Sequence, residues 1–288
     1  MSGRRPPWFG IALAIAGFAA VRFLEARQPL RPRREDPLRH DARNLVLASL
    51  SALAVSLTEQ PIVMRFAGRA EREHLGLLQR LKLPRALEIP CAILLLDYTL
   101  YLWHVLLHRV PLLWRCHVVH HLDRDLTAST ALRFHFAEIL LSIPWRIAQV
   151  LLIGVSPRAL ALWQRAALAE IVWHHSNVRL PPALERVLAM FVVTPRLHGI
   201  HHSVVQGETN SNWSSGLTLW DRLHGTLRRD VPQREITTGV PAYRSGRDVS
   251  LSRILMLPFL KQRPAWQFAD GHPPHRAPTE PRGDLPRE

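Results

Sequence analysis

Apolar runs alternate with arginine- and proline-rich stretches along most of this chain. Trp8 to Leu24 is apolar and ends in the charged segment Glu25–Arg43. It predicts an uncleaved anchor helix, because no small-x-small cleavage pattern precedes the charges. Leu45 to Leu57 is a weaker run that extends, past Glu59 and Gln60, to Phe66. Ala86 to Trp103 is a third run, starting after Pro84 and flowing into His104. Ile139 to Val155 and Ala159 to Trp173 form a pair broken at Gly154–Pro157, with Arg146 and Arg165 inside, and read as a helical hairpin at reduced depth. Crossing roughly 30 Å of hydrocarbon takes about 20 apolar residues. The pattern therefore predicts four or five spans and an all-α, multi-span membrane fold.

Two later segments are not spans. Leu251 to Leu260, with Arg253 inside it and Lys261 next to it, suits an interfacial helix or a packed soluble one. From Arg263 onward, prolines at 264, 273, 274, 278, 281 and 286 among many charges predict a disordered tail.

Composition narrows the partners. The chain has 288 residues, 47% of them hydrophobic, and a net charge of +14. Lysine occurs only at Lys82 and Lys261, so the excess is arginine, and it sits between apolar runs where anionic headgroups would meet it. Nucleic-acid binding is not implied. The two cysteines, Cys91 and Cys116, give neither a disulfide framework nor a thiolate zinc spacing. Any metal chemistry must belong to histidine.

Of sixteen histidines, eleven lie between His104 and His202, and eight of these fall into three short patterns. His104 and His108 stand four apart, on one face of a helix. His117, His120 and His121 follow HxxHH, as do His198, His201 and His202. Offsets of three and four put each triplet within about 100° of one helical face. Thr194 and Pro195 read as the cap and first turn of the helix that carries the second triplet. One tetrahedral zinc uses four ligands when structural and three when catalytic, so eight imidazoles predict two metals. Imidazole ligation suits Fe, Zn, Cu or Ni, and the ligands alone leave the metal open.

These stretches resemble the fatty acid hydroxylase/sterol desaturase superfamily of membrane non-haem di-iron oxygenases. The resemblance runs over Asp97–Leu140, with DYTLYLWHVLLH, WRCHVVHH and TALRFHFAE, and over His175–Thr226, with HSNVRLP, TPRLHGIHHS and LWDRLHGT. It implies that His104, His108, His117, His120, His121, His198, His201 and His202 are iron ligands, with His175 a ninth and His135 a tenth; His174 is left open. It also implies an O2-dependent hydroxylase or desaturase acting on a lipid C–H bond, fatty acyl, sterol or related. The expected organisation is an N-terminal anchor over 1–85, a di-iron catalytic domain over 86–230 forming a cytosol-facing cap, a cap or interfacial segment over 231–262, and the tail over 263–288.

Three carboxylates are candidates to orient ligand imidazoles through their second nitrogen. Asp97 shares a helical stripe with His104 and His108, Glu138 follows His135 by three, and Glu170 precedes His174 by four. Asp123 and Asp125 are expected to be solvated or arginine-paired, and Asp221 to anchor the cap. The chain shows no GxGxxG fingerprint, so electrons would come from a ferredoxin or b-type cytochrome served by an NAD(P)H-linked reductase. Two other classes stay open: a membrane zinc hydrolase, though HExxH is absent, and a non-catalytic metal-binding or transport protein.

Overall fold

The structure is a computed structural model that describes residues 7–276; positions 1–6 and the last part of the expected tail, 277–288, lie outside the described residues. Local chemistry sets where its helices begin. After α1 (Pro7–Arg27), α2 (Pro37–Ala54) starts at Asp36, whose carboxylate accepts from Arg39 N at 2.9 Å. A π turn over Val55–Glu59 carries α2 directly into α3 (Gln60–Arg72). The weak second apolar run is thus part of one long helix. α4 (Leu77–Leu81) and α5 (Arg85–Arg109) follow, then α6 (Pro111–His121) after a break at Val110.

α7 (Phe136–Ile153) starts at His135, whose Nδ1 accepts from Ala137 N at 3.0 Å, and stops at Gly154 with φ +80°. A side chain at Gly154 would lie 2.7 Å from Leu75 O, so both the left-handed backbone and the close crossing call for glycine. α8 (Pro157–His175) is capped by Ser156. Short helices complete the chain: α9 (Pro182–Leu188), α10 (Pro195–His201), α11 (Gln206–Thr209), α12 (Leu219–Leu223) and α13 (Leu251–Met256). Among the described residues, β-structure is confined to three isolated bridges.

Among the described residues, four segments are long and apolar enough to cross a membrane: Phe9–Arg27, Pro37–Leu81, Arg85–Arg109 and Phe136–Ile153. α8 is not among them, since it carries Arg158, Gln164, Arg165 and Glu170. It nevertheless runs back beside α5, and the main core lies between α3, α5, α7 and α8, built from Val63, Leu96, Trp103, Val150, Leu160 and Trp163. Arg146, inside α7, lies 5.4 Å over the Trp163 ring and donates to Gln149, which shields its charge within that core. One end of the bundle is closed by Gly76 against Gly154 and by Ser156 on Glu88. The histidine motifs lie at the other end.

The remaining chain covers that histidine end. Ile254 of α13 and the adjacent Leu257 are buried with Leu47, Val118 and Leu122, while Met256 and Phe259 stay exposed. In the stretch from 263, expected to be disordered, Trp266 stacks on Trp114 with centroids 5.3 Å apart and Arg276 pairs with Glu208 at 2.6 Å, while residues 267–273 are exposed. Those partners lie far upstream, where a reading of composition cannot see them.

Candidate metal centre

Eight histidines converge in two groups of four. His104 and His108 of α5, His121 at the end of α6 and His201 at the end of α10 form one. His120 of α6, His175 at the end of α8, His198 of α10 and His202 just beyond it form the other. Within each group one nitrogen per ring lies within 4.8 Å of all the others. In the second group, Nε2–Nε2 separations are 2.9 Å for His120–His175, 3.0 Å for His175–His198 and 3.1 Å for His198–His202. A metal–imidazole bond of about 2.1 Å puts two ligand nitrogens at right angles about 3.0 Å apart. The spacing fits a shared cation.

Backbone carbonyls set the tautomers. His104 Nδ1 lies 2.7 Å from Trp213 O, His201 Nδ1 2.9 Å from Ser211 O, and His175 Nδ1 2.8 Å from Ile171 O. With Nδ1 donating outward, Nε2 keeps its lone pair turned inward. His121 Nε2, His201 Nε2 and both nitrogens of His108 are buried without a hydrogen-bond partner. Such atoms are costly unless something accepts their lone pairs. Burial first, and neighbouring imidazoles after it, push His120, His121, His198, His201 and His202 well below the usual imidazole range. They are neutral at physiological pH, the state a metal requires.

The other candidates fall differently. His117 belongs to neither group but stands between them, 5.0 to 5.4 Å by ring centroid from His104, His108, His120 and His121. Its Nδ1 faces Glu138 Oε1 at 3.1 Å and its Nε2 is buried and unpartnered. His135 is not brought to the centre: Nε2 is engaged by Leu255 O at 3.1 Å and Nδ1 caps α7, so neither nitrogen is free. His174 is also outside both groups, its Nδ1 on Ser215 O at 2.9 Å.

Asp97 does not orient an imidazole. Its Oδ2 accepts from Trp220 Nε1 at 2.7 Å and Leu217 N at 3.1 Å, which pins the cap to α5. Glu170 crowds Gly216 together with Asp97 and does not hold His174, whose Nδ1 is already used. Asp221 accepts from Trp213 N at 2.8 Å, Ser214 N at 3.0 Å and Thr226 Oγ1 at 2.7 Å, and so fixes the loop whose Trp213 carbonyl meets His104. Asp123 is fully buried among His40, Asn44, Thr130 and Arg133. The carbonyls of Ser211 and Trp213 had no sequence signal, because a backbone oxygen is the same at every residue.

A bundle with four candidate spans and two converging sets of imidazoles at one end defines a helical membrane protein with a histidine centre able to hold two metals. The comparisons place it more closely. Residues 89–226 match the fatty acid hydroxylase family model, the family that the motifs in this stretch resemble. An ornithine lipid hydroxylase of Rhizobium tropici is 34% identical over 158 residues, 54% of this chain and 46% of that protein. Cholesterol 25-hydroxylase of Homo sapiens is 30% identical over 149 residues, 49% of this chain and 52% of the relative. Alkylglycerol monooxygenase of Homo sapiens is 29% identical over 141 residues, 48% and 30%. The chain thus spans about half or less of these relatives' length. No solved structure matches it.

Proposed function

We propose that this protein is a membrane monooxygenase that hydroxylates a C–H bond of a lipid at a di-iron centre. The observation that carries the reading is the convergence of His104, His108, His121 and His201 on one point and of His120, His175, His198 and His202 on another. His117 would serve as a further ligand between them, held by Glu138. Two irons in these positions would supply the O2 activation that side chains cannot. Zinc, redox-inert, would not.

The chain's own residues do the rest. Trp213, Ser211 and Ile171 carbonyls and Glu138 keep the imidazoles in one tautomer and orientation. Burial of the site excludes bulk water, which protects a reactive centre from side reactions. Hydroxylation consumes O2, two electrons and two protons and yields one hydroxyl and one water. Electrons would come from a ferredoxin or b-type cytochrome with its NAD(P)H-linked reductase, on the cytoplasmic side. The relatives' names favour polar lipids, ether lipids and sterols as the substrate class.

Mass spectrometry of lipid extracts from cells with and without the gene tests this. A lipid one oxygen heavier is expected, dependent on O2 and lost in His201→Ala. No oxygenated product under aerobic expression with a functioning reductase overturns the reading.

A further inference from the structure

Outside the spans, large exposed apolar side chains gather on one surface of the cap. Leu184 and Val187 share a face of α9 and are 45% and 50% exposed; Phe191, just after it, is 64% exposed. Leu219 and Leu223 share a face of α12 at 48% and 67%. The two stretches are tied side by side. Thr218 N donates to Phe191 O at 3.1 Å, Val193 N to Gly216 O at 2.9 Å and Arg222 to Ala189 O at 3.0 Å.

This surface is fastened to a span. Trp220 of α12 donates to Asp97 and lies 4.7 Å by centroid from Tyr98, while His224 stacks 4.9 Å from Tyr101. Tyr98 is about 20 Å along α5 from Arg85 at 1.5 Å per residue, which is within a hydrocarbon layer of roughly 30 Å. The patch is therefore held at the level of the leaflet. Its helices carry exposed Arg186 and Arg222, while the acids on the same helices, Glu185 and Asp221, are buried, and the exposed acid that follows, Asp230, is paired with Arg228 at 2.9 Å. Exposed apolar area with surplus arginine beside it matches an anionic headgroup–acyl boundary.

We propose that α9, its following turn and α12 form a monotopic lip that inserts into the anionic leaflet on the metal side of the membrane. Helices of seven and five residues cannot cross, so they lie in the interface. The lip seats the cap against the leaflet beside α5. The proposal rests on the membrane placement of the spans and not on the metal chemistry, so the two can fail separately.

Spin-label accessibility tests it in the full chain, reconstituted in nanodiscs containing phosphatidylglycerol. Nitroxides are placed at Phe191→Cys and Leu223→Cys in a Cys91→Ala, Cys116→Ala background. Leu13→Cys on α1 is the lipid reference and Gln206→Cys, exposed on the cap, the water reference. Labels at 191 and 223 are expected to collide with O2 in preference to a water-soluble nickel chelate, with a ratio several-fold above that at 206 and near that at 13. A ratio like that at 206, or shielding from both reagents as a second copy of the chain would give, overturns the lip. If the cysteine-free background fails to fold, benzoylphenylalanine at position 223 in the native-cysteine chain decides: a lipid photoadduct supports the lip, and a chain dimer or no lipid adduct refutes it.

Discussion

The Nε2 atoms of His120 and His175 lie 2.9 Å apart although the two residues sit on different helices, α6 and α8, fifty-five positions apart in sequence. His175 spends its Nδ1 on the Ile171 carbonyl, and the Nε2 of His198 approaches the same Nε2 at 3.0 Å. Three lone-pair nitrogens meeting in a buried space call for a cation. Purified protein is expected to contain close to two metals per chain by plasma mass spectrometry. His175→Ala should lose about one of them and His201→Ala the other. A full-occupancy value of one metal in the unaltered protein would contradict two sites.

How the imidazoles divide was not legible in the sequence, although their clustering was. HxxHH places three rings on one broad helical face, but successive residues differ by about 100° around the axis. The structure uses that difference: His120 and His121 serve different groups, and so do His201 and His202. Thr194 does begin the helix of the second triplet, its hydroxyl accepting from Leu197 N at 3.4 Å, because a cap is a local signal. The partners of Asp97 were hidden for the opposite reason. Its helical offset from His104 was correct, yet its partners Leu217 and Trp220 lie more than a hundred residues away. His135 likewise resembles a ligand in sequence and turns out to cap α7.

Glu138 should matter to the metal through His117. Its Oε1 is the acceptor for His117 Nδ1 and is itself buried on α7. Removing an orienting carboxylate typically costs about 10–100-fold in metal affinity or activity. Glu138→Ala is expected to fall in that range in lipid product formed per hour, and Glu138→Gln, which keeps an acceptor oxygen, to lose less. Equal loss in both would show that charge rather than orientation is what Glu138 contributes.

Gly216 separates the cap's anchoring from the metal chemistry. A methyl group there would press on Asp97 Oδ1 and lie 2.8 Å from Glu170 Oε2, with Leu217 N next in the chain donating to Asp97. Gly216→Ala is expected to lower thermal stability, and Asp97→Ala to do so by about 1.5–3 kcal/mol, the usual value of a hydrogen bond to a charged group. Both should retain near-native metal content. Loss of metal from Asp97→Ala at equal expression would mean that the Asp97–Trp220 contact is needed to assemble the centre.

The histidines outside the motifs are not equivalent. His40, His74, His272 and His275 all lie outside the motifs, and from their charged or proline-rich surroundings all four are expected to be dispensable. His74, His272 and His275 are exposed. His40 is 2% exposed, and its Nε2 meets Asp123 Oδ1 at 2.8 Å. Asp123 follows His121 by two residues and is fully buried, with Arg133 and Asn44 as its other neighbours. Truncating one partner of such a buried ionic contact typically costs about 3–5 kcal/mol, because the other charge is left behind; here Asn44 and Thr130 still donate to Asp123, which favours the lower end. His40→Ala should therefore lower the unfolding midpoint clearly while His74→Ala and His272→Ala leave it within error. Metal content per folded chain should be unchanged in all three, since none of them is in either group. Thermal unfolding in detergent with parallel metal analysis checks both halves, and a His40→Ala protein as stable as His272→Ala would show that the Asp123 contact carries no stability.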